Sequence, residues 1–133
     1  MILLDTHVLV WVTEGSARLG KRAKRRIEQA FHDGQAATSA FSFWEIATLM
    51  LAGRLRGSRT PDEFRAAVVR AGVIEIPVDG EIAILSTRLE GMHGDPADRL
   101  IVATALARGA VLVTADQKIL AAKGGPQRLD AQV

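Results

Sequence analysis

The chain has 133 residues, 48% of them apolar, which suits one core and a single domain spanning residues 1–133. It has no cysteine, which excludes a disulfide framework and a thiolate metal site. No apolar run approaches bilayer-spanning length and no basic leader precedes Asp5, so a cytoplasmic protein is expected; the net charge of +2 matters less than its distribution.

The first element is Met1-Ile-Leu-Leu4, a continuous apolar run of the kind that forms a strand buried on both faces, and Asp5 marks its C-terminal edge. From Leu19 to His32, Ala23, Ile27, Ala30 and Phe31 recur at helical spacing. That spacing turns Lys21, Arg22, Lys24, Arg25 and Arg26 toward solvent, and with Arg18 they form a basic surface that no acid interrupts. Asp33-Gly34 breaks the helix and Gln35 to Thr38 reads as a second strand. Ser39 or Ser42 then caps an apolar helix that continues to Ala52 and stops at Gly53.

Thr60-Pro61-Asp62-Glu63 supplies an N-cap residue, a proline at N1 and an acid at N3, ahead of Phe64, Ala67, Val68 and Ala71 at helical spacing. Val73 to Val78 reads as a strand that Pro77 confines to an edge or ends, and Asp79 caps a helix carrying Ile82, Leu85 and Leu89. Asp95-Pro96-Ala97-Asp98 opens an apolar helix stopped by Gly109; Ala110 to Thr114 is again a buried-strand pattern, ending just before Asp116. Strands and helices alternate throughout, which predicts an α/β fold: a three-layer α/β/α sandwich around a mostly parallel sheet.

In such sheets ligands bind beyond the carboxyl ends of the strands, where Asp5 and Asp116 fall. Asp98 joins them because its helix runs back antiparallel to the strands, and Glu45 lies in the first two turns of the helix after Ser39. Each acid also has a purely structural reading. Asp98 sits at N3 beside the Asp95 cap, Asp116 can cap a Gln117 to Ala122 helix, and Ser42-Phe-Trp-Glu45 fits a capping box. Glu45 resists that reading because Phe43, Trp44, Ile46 and Ala47 surround it with apolar surface, and Asp5 reads as an unpaired acid at a strand end.

Converging carboxylates raise one another's pKa, and a divalent cation offsets the repulsion. All-oxygen ligands suit Mg²⁺ or Mn²⁺, and such a cation beside activated water implies phosphodiester hydrolysis. Asp5, Asp98 and Asp116 are the expected metal ligands, with Glu45 positioning or deprotonating the attacking water.

Four segments, Leu3-Leu-Asp5-Thr-His7-Val-Leu-Val-Trp11, Ser42-Phe-Trp-Glu45-Ile-Ala47, His93-Gly-Asp95-Pro-Ala-Asp98-Arg99 and Thr114-Ala-Asp116, resemble PIN-domain nucleases of the VapC toxin type, in order and nearly end to end. The resemblance implies that Asp5, Glu45, Asp98 and Asp116 form the acidic constellation, that Thr114 supports it, that Asp95 is a helix cap and that Arg99 is a phosphate contact. It also implies an α/β/α sandwich, Mg²⁺ or Mn²⁺, endoribonuclease activity on RNA, a homodimer and a cognate antitoxin. The helix of Phe41 to Leu51 is apolar on nearly all faces, so an exposed groove beside the Pro61 to Ala71 helix is the expected antitoxin seat.

Two other functions compete. A haloacid-dehalogenase-like phosphatase would use Asp5 as its nucleophile, but its second acid is missing because His7 stands two residues on. A non-catalytic RNA-binding module would not require all four acids. His7, His32 and His93 lack zinc-ligand spacing and Gly20-Lys21 lacks the rest of a phosphate loop.

Overall fold

The computed structural model describes residues 1–92 and 94–133; His93, read from sequence as a loop or surface residue, lies outside them. In chain order the elements are β1 (Ile2–Leu4), α1 (Thr6–Glu14), α2 (Lys21–His32), β2 (Ala36–Ser39), α3 (Ala40–Leu51), α4 (Pro61–Arg70), β3 (Ile74–Ile76), α5 (Gly80–Thr87), α6 (Pro96–Arg108), β4 (Val111–Thr114), α7 (Gln117–Ala121) and β5 (Arg128–Asp130). The five strands lie in the order β3-β2-β1-β4-β5, and every pairing is parallel.

The pleat divides the core in two. Ile2, Leu4, Ala36 and Val113 point to one face, where they pack with Val8 and Leu9 of α1, Ile27 of α2, Ile46 of α3 and Phe64 of α4. Leu3, Ala37 and Leu112 point to the other, against Ile82 of α5, Ile101 and Val102 of α6 and Ile119 of α7. The central strands β1 and β4 are therefore apolar at every position but the last of β4, the buried Thr114, as the sequence pattern requires. The result is the expected three-layer α/β/α sandwich.

Two elements had no counterpart in the sequence reading. Helix α1 begins immediately after β1, and its buried residues include the β-branched Val8 and Val10 with Leu9 and Trp11, a composition that reads as more strand. Strand β5 is three residues long and half-buried, too short for a periodic signal. The Ser42 capping box is also corrected. Ser39 is the N-cap of α3, its side chain accepting from the Phe41 amide, and Ser42 is buried inside the helix. The Thr60 capping box is present in full, with Pro61 at N1. Pro77 follows β3, which is an edge strand, so its missing N–H interrupts no ladder.

From β1 the chain moves outward through β2 to β3 and then returns to place β4 on the other side of β1. The boundary between β1 and β4 is thus the switch point of the sheet, and a crevice opens there beyond the carboxyl ends.

Candidate active site

Asp5 leaves β1 and Asp116 follows β4 after Ala115, so the two acids flank the switch point. Asp98 is the third residue of α6, and Glu45 the sixth of α3. All four line one cavity of about 350 Å³, together with Thr6, His7, Trp11, Asp95 and Ala115. A more open hollow lined by Gly94, Asp95, Asp98, Asp116, Gln117 and Lys118 shares three of those acids and continues the cavity outward.

Asp5 is 8% exposed and, contrary to its reading as an unpaired acid, is held on both oxygens. Thr6 N–H donates to Oδ1 at 2.8 Å and the Thr114 hydroxyl donates to Oδ2 at 2.6 Å. Thr114 Oγ in turn accepts the Asp116 amide at 3.0 Å, so one buried hydroxyl ties the two acids across the switch point. On the other side of Asp5, Thr6 Oγ lies 2.6 Å from Glu45 Oε1 and 2.9 Å from Ser42 Oγ. A bonded chain therefore runs Glu45, Thr6, Asp5, Thr114, Asp116. Residue spacing marked Ser42 only as a helix cap and Thr6 not at all: a hydroxyl on a helix carries no signature of a site, although Thr6 adjoins an acid already marked.

Asp116 plays the structural part as well, since its Oδ1 accepts the amides of Lys118 and Ile119 at 2.8 and 3.2 Å and so caps α7. Asp95 caps α6, accepting from the Ala97 amide at 3.0 Å. Arg99, expected at a phosphate, has carbonyl partners within the chain. Its guanidinium donates to the carbonyls of Ser86, Met92 and Leu89 at 3.0 to 3.3 Å, and so pins the segment that joins α5 to α6.

Burial is the main cause that pushes the Asp5 carboxyl above its ordinary range; the Thr114 and Thr6 bonds and His7 pull it down, and the Asp116 charge pushes it up again. Glu45 is raised chiefly by burial, with the charges of Asp5 and Asp95 adding to it and the Thr6 bond opposing it. The cavity thus crowds negative charge where it is poorly solvated, and a cation relieves both effects. The carboxylates lining it offer hard oxygens, which fits Mg²⁺ or Mn²⁺. Among the described residues no group of three His, Cys, Asp or Glu side chains is drawn together as a ready-made cage. Mg²⁺ tolerates this, because it keeps several waters and takes one or two carboxylates directly.

The PIN domain family matches residues 2–125 of the chain. Over 119 residues, 89% of this chain and 88% of the relative, it is 33% identical to ribonuclease VapC22 of Mycobacterium tuberculosis. The fold matches a chain of the VapBC2 complex of Rickettsia felis bound to a promoter DNA fragment, with a TM-score of 0.69 at 16% identity, covering 97% of this chain and 98% of that one. It also matches VapBC-1 of nontypeable Haemophilus influenzae, with a TM-score of 0.67 at 19% identity over the whole of both chains.

Proposed function

The chain belongs to the PIN-domain family, in its VapC branch, and from that premise we propose that it is a divalent-metal-dependent endoribonuclease, the toxin of a toxin-antitoxin pair. The observation that carries the reading is the meeting of Asp5, Glu45, Asp98 and Asp116, from four distant segments, around one cavity at the switch point. Asp5, Asp98 and Asp116 would hold Mg²⁺ or Mn²⁺, in part through its water ligands. When bound, that ion supplies Lewis-acid activation of water and charge neutralisation at the phosphate. Glu45, held by Thr6, orients the attacking water and accepts its proton. The carboxylates have defined bonds before substrate arrives, so little reorganisation is left for the reacting geometry.

The rest of the surface supports an RNA substrate, and the cytoplasm is the compartment we propose for the reaction. Arg18 rests over the Trp11 ring, 5.7 Å from its centroid, and Trp11 lines the cavity. Exposed Lys21, Arg22, Lys24, Arg25 and Arg26 extend the same positive field along α2. A haloacid-dehalogenase-like phosphatase finds His7, not an acid, at the second position it needs.

The antitoxin is proposed to lie along α3 and α4. Trp44 and Leu51 of α3 are 60% and 87% exposed, Trp44 stacks on Phe41, and Val69 of α4 is exposed. An amphipathic partner helix would cover this apolar surface, and a following arginine would reach the carboxylates and displace the ion. The remaining apolar surface would serve a homodimer.

The test is cleavage of total cellular RNA by the purified chain with Mn²⁺ or Mg²⁺. Cleavage is expected, with loss on chelation and in both Asp5→Asn and Asp98→Asn. Hydrolysis of a phosphate monoester with RNA left intact would overturn the reading. Toxicity relieved by a co-expressed small neighbouring protein tests the second half independently.

A further inference from the structure

We propose that Thr6 is a positioning residue for Glu45, the middle link of a one-way hydroxyl relay from Ser42 through Thr6 to the carboxylate. Thr6 Oγ has two close oxygen neighbours, Glu45 Oε1 at 2.6 Å and Ser42 Oγ at 2.9 Å, but a threonine hydroxyl has one hydrogen to give. The shorter contact is to a carboxylate, which when ionised only accepts, so Thr6 donates to Glu45. Ser42 must then donate to Thr6. Ser42 is fully buried and Thr6 nearly so, which leaves little solvent to compete for either hydrogen.

The geometry makes this a device for placing one acid against another. Ser42 and Glu45 are three residues apart on α3 and share a face, and α1 presents Thr6 to both from its first turn. The main-chain N–H of Thr6 donates at the same time to Asp5 Oδ1. A single residue therefore grips two acids, one through its amide and one through its side chain. Their separation is fixed by the covalent frame of Thr6 rather than by mutual contact, which two anions would not sustain.

A merely structural buried hydroxyl would, on removal, lower stability and leave turnover per folded molecule alone. The relay differs because it sets the position of the group that receives the water's proton. The catalytic arm of the test rests on the nuclease reading above, and the spectroscopic arm does not.

Three variants test it: Thr6→Val, which keeps the shape and removes the hydroxyl, Thr6→Ser, which keeps the hydroxyl, and Ser42→Ala. On a fluorogenic RNA with Mn²⁺, Thr6→Val is expected to lower kcat about 10- to 100-fold with KM changed by less than about threefold. Thr6→Ser should stay within about threefold of the parent, and Ser42→Ala should fall between. By NMR on the metal-free protein, the Thr6 hydroxyl proton should exchange slowly and show a through-space contact to the Glu45 side chain; the Glu45 carboxyl carbon should shift in Thr6→Val. Parent-like kcat in Thr6→Val overturns the relay. So does a Glu45 carbon resonance unchanged by that substitution. If the parent chain leaves RNA intact, the nuclease reading falls and the spectrum alone decides the relay.

Discussion

Asp5 shows what a buried acid does to stability. Burial raises its pKa above the ordinary carboxylate value, so the folded chain holds a proton that the unfolded chain has already released. The stability linked to this group is whole below the ordinary value and is lost as pH rises through the folded one. Glu45 acts in the same sense. Without divalent ions, Asp5→Asn should therefore melt above the parent at neutral pH, with the difference shrinking toward about pH 4. Mn²⁺ should raise the parent's Tm more at neutral than at acid pH, and should do little for Asp5→Asn. Thermal melts across pH, with chelator and with Mn²⁺, check both. Thr114→Val is expected to cost about 1–3 kcal/mol, because it leaves an oxygen of Asp5 buried without its donor. The acids were legible in the sequence because a carboxylate ending an apolar run stands out chemically. Their hydroxyl supports were not, since Thr6 meets Glu45 only through a contact spanning 39 positions.

Helices with explicit end signals were the readable elements, and α4 is the clearest. Thr60 Oγ accepts the Glu63 amide at 3.2 Å while Glu63 Oε1 accepts the Thr60 amide at 3.1 Å. Thr60→Ala should lower unfolding stability by about 1 kcal/mol and leave RNA cleavage unchanged, as urea melts and turnover would show. Helix α1 was unreadable for the opposite reason. Its cap is Asp5, which the strand claims equally, and its apolar residues lack a single-sided stripe because they are buried nearly all round. Tertiary burial overrides the weak helix propensity of its valines. Helix α2 makes the complementary case, with Ala23, Ile27 and Ala30 buried and the intervening cations exposed. Replacing Lys21, Arg22, Lys24, Arg25 and Arg26 by Gln should weaken RNA binding and flatten its salt dependence, since fewer counterions are released. An unchanged slope in fluorescence anisotropy titrations would assign that face to solvent alone.

At the scale of the molecule, strand alternation was enough to anticipate the layers but not the order β3-β2-β1-β4-β5, because a buried strand carries no mark of which neighbour it will choose. That order brings residues 5 and 114 into hydrogen-bonding contact across 109 positions. Asp5 also donates its amide to the Val113 carbonyl, so its place is set by a strand made long after it. A nascent chain lacking β4 has neither Thr114 nor Asp116, and its first acid is loose. A fragment of residues 1–109 should accordingly be inert toward RNA and harmless when expressed, which a growth assay would reveal. On the nuclease reading, a ribosome making this chain is thus shielded from its own product until β4 has emerged. On that reading danger to the cell begins only then, and an inhibitor already waiting can act before the first cut.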